Sequence, residues 1–367
     1  MTIQTQHKAS YFDAHTSLIL KGCMLILMFA HHFFTFPSWI LDSVHHVNYN
    51  FLASLLCSPT KICVAVFAFL TGYSYFLSKK HTFLYSLKKV FSLFTAYWMV
   101  FIPVYLLAVF VFDYPFSVEG FLVELFALKN TVLPFCWYVL FYAISMLYLP
   151  LIYRLLSKNL VLSLVFGAFL PVVLCQILLR VSLPAEIAEF LSRFQSYFPI
   201  LYLGFLCSQY SIFNRLDSII TKILRKKFLI IAGLAFLLVG IFFSSNILYG
   251  SSSPSVLSQL ISKAVYTVSI PFFVFSLVYM IKSFSGKIIA PLLAAIGKKS
   301  MFMWFLHGIF FNFLSTYTQQ ILYFPYVPLL ILIWGLFICY CFAVPFSICH
   351  VKVSQVSSKS LIQNSYK

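Results

Sequence analysis

Charged side chains are scarce in this sequence. Only 9% of the 367 residues are Asp, Glu, Lys or Arg, and 8 acids stand against 25 bases. Soluble globular domains have about a quarter of their residues charged, so this composition excludes a soluble domain. Apolar residues instead make up 62% of the chain, and the mean hydropathy is +0.97. The composition predicts an integral membrane protein.

Several familiar patterns are also absent. The sequence contains no glycine-rich phosphate loop and no internal repeat, and nothing in it predicts a metal site. The nine cysteines include no C-x-x-C pair, and most of them lie in apolar runs where cysteine acts as a small hydrophobic residue. No cleavage site of the usual small-residue kind follows the first apolar run, so we expect a retained first helix and not a signal peptide.

Apolar stretches long enough to cross a bilayer recur along the whole chain. We expect an all-α, polytopic transmembrane helix bundle of about ten spans, with nine or eleven as the alternatives. The predicted domains are a cytoplasmic N-terminal segment over 1–16, a transmembrane domain over 17–350 and a cytoplasmic tail over 351–367. The ten stretches lie at about 17–40, 60–78, 90–112, 131–153, 159–179, 194–212, 228–248, 262–281, 300–318 and 326–349.

The basic residues predict the orientation. If the N-terminus is cytoplasmic, all but five of the 25 Lys and Arg residues fall on the inner side, which supports cytoplasmic N- and C-termini. This topology signal accounts for the net charge of +17 and would also attract the protein to anionic lipid. We expect no nucleic-acid partner, because the bases are not clustered on one solvated face. The five outer bases are Lys61, Lys129, Arg180, Arg193 and Lys263.

Lys21 and His32 are ionisable residues inside the first apolar stretch. Eleven residues are about three helical turns, so both side chains fall within about 20° of one line, with His32 about 16 Å deeper. Ionisable groups at bilayer depth cost free energy and mark functional sites. His32 is therefore our candidate for a catalytic residue. His31 is the alternative, but it lies about 80° away from the line through Lys21.

Sequence elements along residues 15–350 resemble those of the acyltransferase-3 family of integral membrane acyltransferases. In the first helix of that family, a basic residue precedes a histidine by eleven positions, as Lys21 precedes His32. The further matching elements, in the family's order, are Phe67–Tyr73, the basic loop Lys79–Lys89 with Tyr97-Trp98 after it, Pro134–Tyr138, Phe198–Gly204, and Gly297–Met301 ending at His307.

Two positions depart from the family pattern. Arg is the commoner family residue at the position of Lys21, and the family has an R-R-x-x-R cluster where this chain has Lys88, Lys89 and Ser92. Lysine keeps the positive charge but lacks the two-pronged guanidinium that grips phosphate. A catalytically altered or inactive family member therefore remains an alternative.

The resemblance implies transfer of an acyl group, usually acetyl, from cytoplasmic acyl-CoA to a hydroxyl of a cell-surface polysaccharide or its lipid-linked precursor. The protein would lie in the plasma membrane, in a bacterium, with no bound cofactor and acetyl-CoA as donor substrate. A neutral imidazole suits removal of the hydroxyl proton, which makes His32 the candidate base or a transient acyl carrier. His307 carries a family match and is a second catalytic candidate, with packing across helices as its alternative role.

The remaining candidate site residues are proposed to bind substrates. Lys21, Lys88 and Lys89 lie at the expected cytoplasmic edge, where positive charge can neutralise the phosphates of the donor. For Lys88 and Lys89, an ordinary orienting role in topology is the alternative. Trp137 and Tyr138 are candidates to stack on a sugar ring, with interfacial anchoring as the alternative.

Two functions from other classes fit a polytopic membrane protein. A secondary transporter is expected to show paired broken helices in corresponding halves, and the sequence shows no such symmetry. A lipid-linked glycan flippase or polymerase is the other alternative, although polymerases of that kind usually have large outer loops with arginines. The outer loops predicted here are short and carry few charges.

Overall fold

The computed structural model describes residues 11–35, 58–78, 80–223, 226–249, 256–284, 286, 288–312 and 314–363. Every regular element within these ranges is a helix, which confirms the predicted all-α fold. A three-residue turn, Ser58–Thr60, precedes the second helix, and a 3-10 turn, Gly308–Phe311, follows the eleventh.

The helices are long and follow one another with short connections. In chain order they are α1 (Ala14–Thr35), α2 (Ile62–Leu77), α3 (Phe83–Val111), α4 (Val118–Leu125), α5 (Tyr138–Lys158), α6 (Leu160–Leu178, with a π-helical turn over Val165–Phe169), α7 (Ala185–Gln209), α8 (Ile212–Ile223), α9 (Lys227–Tyr249), α10 (Val256–Phe284), α11 (Ile289–His307), α12 (Ser315–Tyr323) and α13 (Pro328–Gln363).

Eight helices of the described chain are long and apolar enough to cross a membrane, namely α1, α3, α5, α6, α9, α10, α11 and α13. The protein is therefore a helical membrane protein. The two other predicted spans fall on α2, which is apolar but only 16 residues long, and on α7, whose first turns carry Glu186, Glu189 and Arg193. The count of ten spans, like the cytoplasmic termini, remains a prediction.

Two predicted boundaries differ from the structure. The stretch predicted over 131–153 becomes helical only at Tyr138, because the residues before it form an irregular segment that contains Pro134. The stretch predicted over 300–318 contains a break, since α11 ends at His307 and a 3-10 turn separates it from α12. Both irregular segments lie beside the candidate active site described below.

The chain divides into two compact units. The first comprises the described residues within 1–31, 54–79 and 196–298. In this unit the backbones of α2 and α7 touch, because a Cβ on Gly72 would lie 1.9 Å from the Leu201 carbonyl oxygen and one on Gly204 would lie 2.1 Å from the Phe69 carbonyl oxygen. Small residues allow such close approach where lipid provides no hydrophobic driving force.

A similar contact joins α1 and α11 in the first unit. A Cβ on Gly22 would lie 2.1 Å from the Leu293 carbonyl oxygen, and a Cβ on Gly297 would lie 1.9 Å from the Leu18 carbonyl oxygen. The close approach explains why glycine stands directly after Lys21 in one sequence element and opens another at position 297. Both glycines therefore serve helix packing.

The second unit comprises the described residues within 32–53, 80–195 and 299–367, and α3 packs there against α5 and α13. Tyr97, Phe101 and Tyr105 lie four residues apart on the buried face of α3. On the other side of the same helix, Phe110 is 79% exposed. Exposed aromatic rings on so apolar a helix are typical of a surface that faces lipid.

Candidate active site

His32 and His307 contact each other in the second unit. His32 lies in the last turn of α1, and His307 is the last residue of α11. The Nδ1 atom of His32 lies 2.8 Å from Nε2 of His307, and the ring centroids are 4.9 Å apart with the planes nearly parallel. The His307 side chain is completely buried, whereas His32 is half-buried. The pair therefore offers one accessible imidazole supported by one enclosed imidazole.

The hydrogen-bond network assigns the protons of the pair. Nδ1 of His307 bonds to the Trp304 carbonyl oxygen, which can only accept, so Nδ1 carries the proton. When His307 is neutral, its Nε2 has a lone pair and accepts from Nδ1–H of His32. A neutral His32 then carries its own lone pair on Nε2. This tautomer is the one that a general base requires.

Aromatic rings enclose the pair. The Phe135 ring stacks on the His32 imidazole, with centroids 3.9 Å apart and planes 12° apart, and Phe311 meets the same imidazole edge-on at 6.4 Å. Phe135 has a φ of 71°, in the left-handed region that a bulky residue rarely adopts. Such a conformation costs about 1–3 kcal/mol and persists only where surrounding contacts enforce it.

Residues 126–137, which connect α4 to α5, form a segment that we call the strap. The Trp304 indole Nε1 donates to the Phe135 carbonyl oxygen at 3.3 Å, and the Asn312 amide donates to the Val132 carbonyl oxygen at 2.8 Å. Gly308 lets the 3-10 turn after α11 approach the strap, since a Cβ there would lie 2.8 Å from the Pro134 carbonyl oxygen. The strap is thus attached to the residues on either side of His307.

The structure brings two of the three catalytic candidates together. His307, predicted only from the family match, contacts His32 directly. His31 is half-buried and precedes His32 by one residue, which turns its side chain about 100° around α1. The catalytic roles of His31, His32 and His307 stay predictions.

Lys21 lies on the same helix as His32, as predicted, and is half-buried beside Gly22. The eleven-residue separation along a continuous α1 keeps its Cα about 16 Å from that of His32. The binding role predicted for Lys21 stays a prediction.

Lys88 and Lys89 lie in the second turn of α3 and are exposed, and the Lys89 ammonium lies 5.5 Å from the centroid of the Tyr85 ring. Ser92, which replaces a basic residue of the family pattern, is contacted by a histidine from α13. Nε2 of His350 lies 2.9 Å from the Ser92 carbonyl oxygen. An ionisable group thus stands beside the position where the family has a third base.

Trp137 and Tyr138 lie at the start of α5. The guanidinium of Arg193 lies over the Trp137 ring, 4.7 Å from its centroid. Tyr138 instead packs edge-on against Trp304 at 5.8 Å, which links it to the residue that holds His307.

Glu124, Phe135 and Asn312 were not predicted as site residues. Glu124 has a signal in the sequence, because it is one of only 8 acids. In the structure it is 3% exposed, and its Oε2 accepts from the Val132 backbone N–H at 2.9 Å. In the part of the chain that the structure describes, no three His, Cys, Asp or Glu residues are grouped to hold a metal ion.

Comparison with known proteins identifies the family of the chain. The family described as acyltransferase domain matches residues 17–350, which is nearly the whole chain and includes His32, the strap and His307. No curated protein and no solved structure matches the chain. The family match and the membrane-spanning helices lead to one conclusion. The chain belongs to the acyltransferase-3 family and is a membrane acyltransferase.

Proposed function

We propose that this protein is an O-acetyltransferase of the bacterial plasma membrane. It moves an acetyl group from cytoplasmic acetyl-CoA to a hydroxyl of a cell-surface polysaccharide or its lipid-linked precursor. The observation that supports this proposal most strongly is the contact between His32 and His307 in a chain of this family. An alcohol is a poor nucleophile at neutral pH, and the pair provides an oriented base for it.

The proposed reaction begins at Nε2 of His32. This atom takes the proton of the acceptor hydroxyl while the oxygen attacks the thioester carbonyl. Collapse of the tetrahedral intermediate breaks the carbon–sulfur bond, and the thiolate of CoA leaves with the electron pair. The proton on His32 then passes to the thiolate, which regenerates neutral imidazole and gives the ester and free CoA.

His307 supports the charge that develops on His32. Its Nε2 accepts from Nδ1–H of His32, and this hydrogen bond strengthens as His32 becomes a cation. The arrangement follows the logic of catalytic triads, in which a third group holds the base in the correct tautomer. A covalent variant, in which Nε2 of His32 attacks the thioester first and carries the acetyl group, uses the same atom.

Positive charge at the expected cytoplasmic edge suits the proposed donor. Lys21 can neutralise a phosphate of CoA while the extended pantetheine arm reaches toward His32, about 16 Å further along α1. Lys88, Lys89 and His350 add further ionisable groups at the start of α3 and near the end of the apolar part of α13. Trp137 and Tyr138 are proposed to contact the acceptor sugar.

Acetyl transfer by the purified protein tests the proposal. Release of free CoA from acetyl-CoA is followed with a thiol reagent, with the protein in detergent and with a panel of glycans and lipid-linked glycans as acceptors. We expect release that depends on the acceptor and that His32→Ala abolishes. A protein that instead moves lipid-linked glycan or a solute across vesicles, and releases no CoA with any acceptor, would be a flippase or a transporter.

A further inference from the structure

Glu124 is a buried carboxylate that the proposed reaction does not use. It lies near the end of α4, outside the membrane-spanning helices, and is 3% exposed. Burial raises the pKa of this side chain, and the backbone N–H of Val132 partly opposes the shift. A buried carboxyl costs free energy unless its oxygens are hydrogen-bonded, so its partners show what it does for the fold.

The partners of Glu124 belong to the strap and to the elements that hold it. Oε2 accepts from the Val132 N–H at 2.9 Å, and Oε1 lies 3.4 Å from the Tyr114 hydroxyl. The backbone of Glu124 is itself fixed, because the buried Tyr97 hydroxyl donates to its carbonyl oxygen at 2.8 Å. Glu124 therefore ties a central residue of the strap to α3 and α4.

The opposite side of the same peptide segment is tied to the helix region that carries His307. The Asn312 amide donates to the Val132 carbonyl oxygen, and its own oxygen accepts from the Leu314 N–H at 2.8 Å. Val132 is thus held through its N–H by Glu124 and through its carbonyl by Asn312. Three residues later, Phe135 stacks on His32.

The strap needs these anchors because its backbone is strained. Ala127 and Phe135 both have positive φ, 54° and 71°, without being glycine. A backbone in this region relaxes when its surroundings release it. Loss of the Glu124 anchor would let the strap relax, and the Phe135 ring would then move away from the imidazole of His32.

We propose that Glu124 is a positioning residue of the acyl transfer: it fixes the strap so that Phe135 holds the His32 imidazole in its reactive orientation. This inference rests on the proposed function of His32. Misplacement of a reacting group by about 1 Å can cost roughly 100-fold in rate, so a residue that acts only through Phe135 can have a large effect.

A set of matched variants tests the inference. Glu124→Ala should lower kcat about 10- to 100-fold with the KM for acetyl-CoA unchanged, because donor contacts are left intact. Glu124→Gln should retain most activity, since its amide oxygen still accepts from Val132. Glu119→Ala is the control, because Glu119 is an exposed acid on the same helix.

A double-mutant cycle separates positioning from general stability. If Glu124 acts through Phe135, then Glu124→Ala should cost little more in kcat when Phe135→Ala is already present. Asn312→Ala, which removes the other anchor, should give the same kcat loss and the same non-additivity. Additive losses, or wild-type kcat in Asn312→Ala, overturn the proposal. If Glu124→Ala does not fold, the kcat of Asn312→Ala, alone and combined with Phe135→Ala, tests the proposal.

A readout that needs no acyl transfer distinguishes this inference from the proposed function. Diethyl pyrocarbonate modifies imidazole nitrogens, and mass spectrometry measures its rate at His32. Phe135 shields one face of that ring, so Glu124→Ala and Phe135→Ala should raise the rate, and Glu119→Ala should not. Suppose that the two variants are modified faster but the wild-type protein shows no transferase activity. The proposed function would then be wrong, and the inference that Glu124 fixes the strap would stand. If the wild-type protein is active and modification of the variants is unchanged, only the inference about Glu124 would be wrong.

Discussion

Nδ1 of His32 lies 2.8 Å from Nε2 of His307, although 275 residues separate the two histidines in the sequence. Each of them follows a glycine of a helix–helix contact by ten residues, His32 after Gly22 and His307 after Gly297. On both α1 and α11, a glycine that packs against the other helix therefore precedes a catalytic candidate by the same number of residues. The predictions below test what the pair and its surroundings do.

His32→Ala should remove the acetyl-transfer activity while the protein still inserts and folds. The variant loses the proton acceptor but keeps an apolar helix, and loss of a general base typically costs about 10²- to 10⁴-fold in rate. His31→Ala is the matched control and should keep far more activity at equal protein level. If His31→Ala lost more activity than His32→Ala, the face of α1 that carries His31 would be the reactive one.

His307→Ala should lower kcat by less than His32→Ala does, because the proposed role of His307 is to orient the base without touching the substrate. His307→Gln should recover part of the loss, since the glutamine carbonyl can accept from Nδ1–H of His32. Steady-state kinetics of the three variants provide the measurement. Equal activity of His307→Ala and wild type would leave the pair as a packing contact.

Lys21→Gln should raise the KM for acetyl-CoA roughly tenfold, the effect of losing one charge-assisted hydrogen bond. Lys129→Gln is the control, because Lys129 is an exposed lysine whose ammonium pairs with Glu186 at 4.0 Å. Lys21→Arg should match or exceed wild-type affinity, since guanidinium fits phosphate better. Donor titrations that show equal KM values for Lys21→Gln and Lys129→Gln would reduce Lys21 to a topology residue.

Gly72→Ala should destabilise the folded protein by about 1–3 kcal/mol, because its Cβ would collide with the backbone of α7. Gly240→Ala is the matched control, since a Cβ at that position on α9 meets nothing within 4 Å. Alanine also favours a helix over glycine by about 1 kcal/mol, so the control should be neutral or slightly stabilising. Thermal unfolding of both variants in the same detergent measures the difference.

The buried carboxyl of Glu124 should make stability depend on pH. Its folded pKa is raised above the ordinary value of 4.5, so between these two values the folded state binds more protons than the unfolded state. The free energy of unfolding should therefore fall as pH rises from 4.5 through the folded pKa. Glu124→Gln has no carboxyl at this position and should lack this dependence on pH. The Tm of the wild type, measured relative to that of Glu124→Gln, should therefore fall as pH rises from 4.5 through the folded pKa.

Much of the architecture follows from sequence because it depends on local composition. Runs of apolar residues predict the membrane helices, and eleven-residue spacing correctly places Lys21 and His32 on one helix. The contact between His32 and His307 depends on tertiary packing, which no local pattern encodes. The family match alone suggested His307 as a candidate.

The strap illustrates a second limit of local patterns. Hydropathy extended the fourth predicted span back to residue 131, because Val132, Leu133 and Phe135 are apolar. The structure shows an irregular backbone there, held by Glu124 and Asn312. Apolar composition reports burial, and it does not distinguish a buried helix from a buried loop whose polar groups are satisfied by distant side chains.

The reciprocal glycine contact between α2 and α7 bears on how the protein is made. With 16 residues, α2 is about 24 Å long, shorter than the hydrocarbon thickness of about 30 Å, and its partner emerges from the ribosome only after residues 78–184 have been synthesised. Until then α2 lacks the surface that fits its glycine. The first unit is thus completed late in biogenesis, and variants at Gly72 or Gly204 should be removed by cellular quality control before any loss of catalysis is apparent.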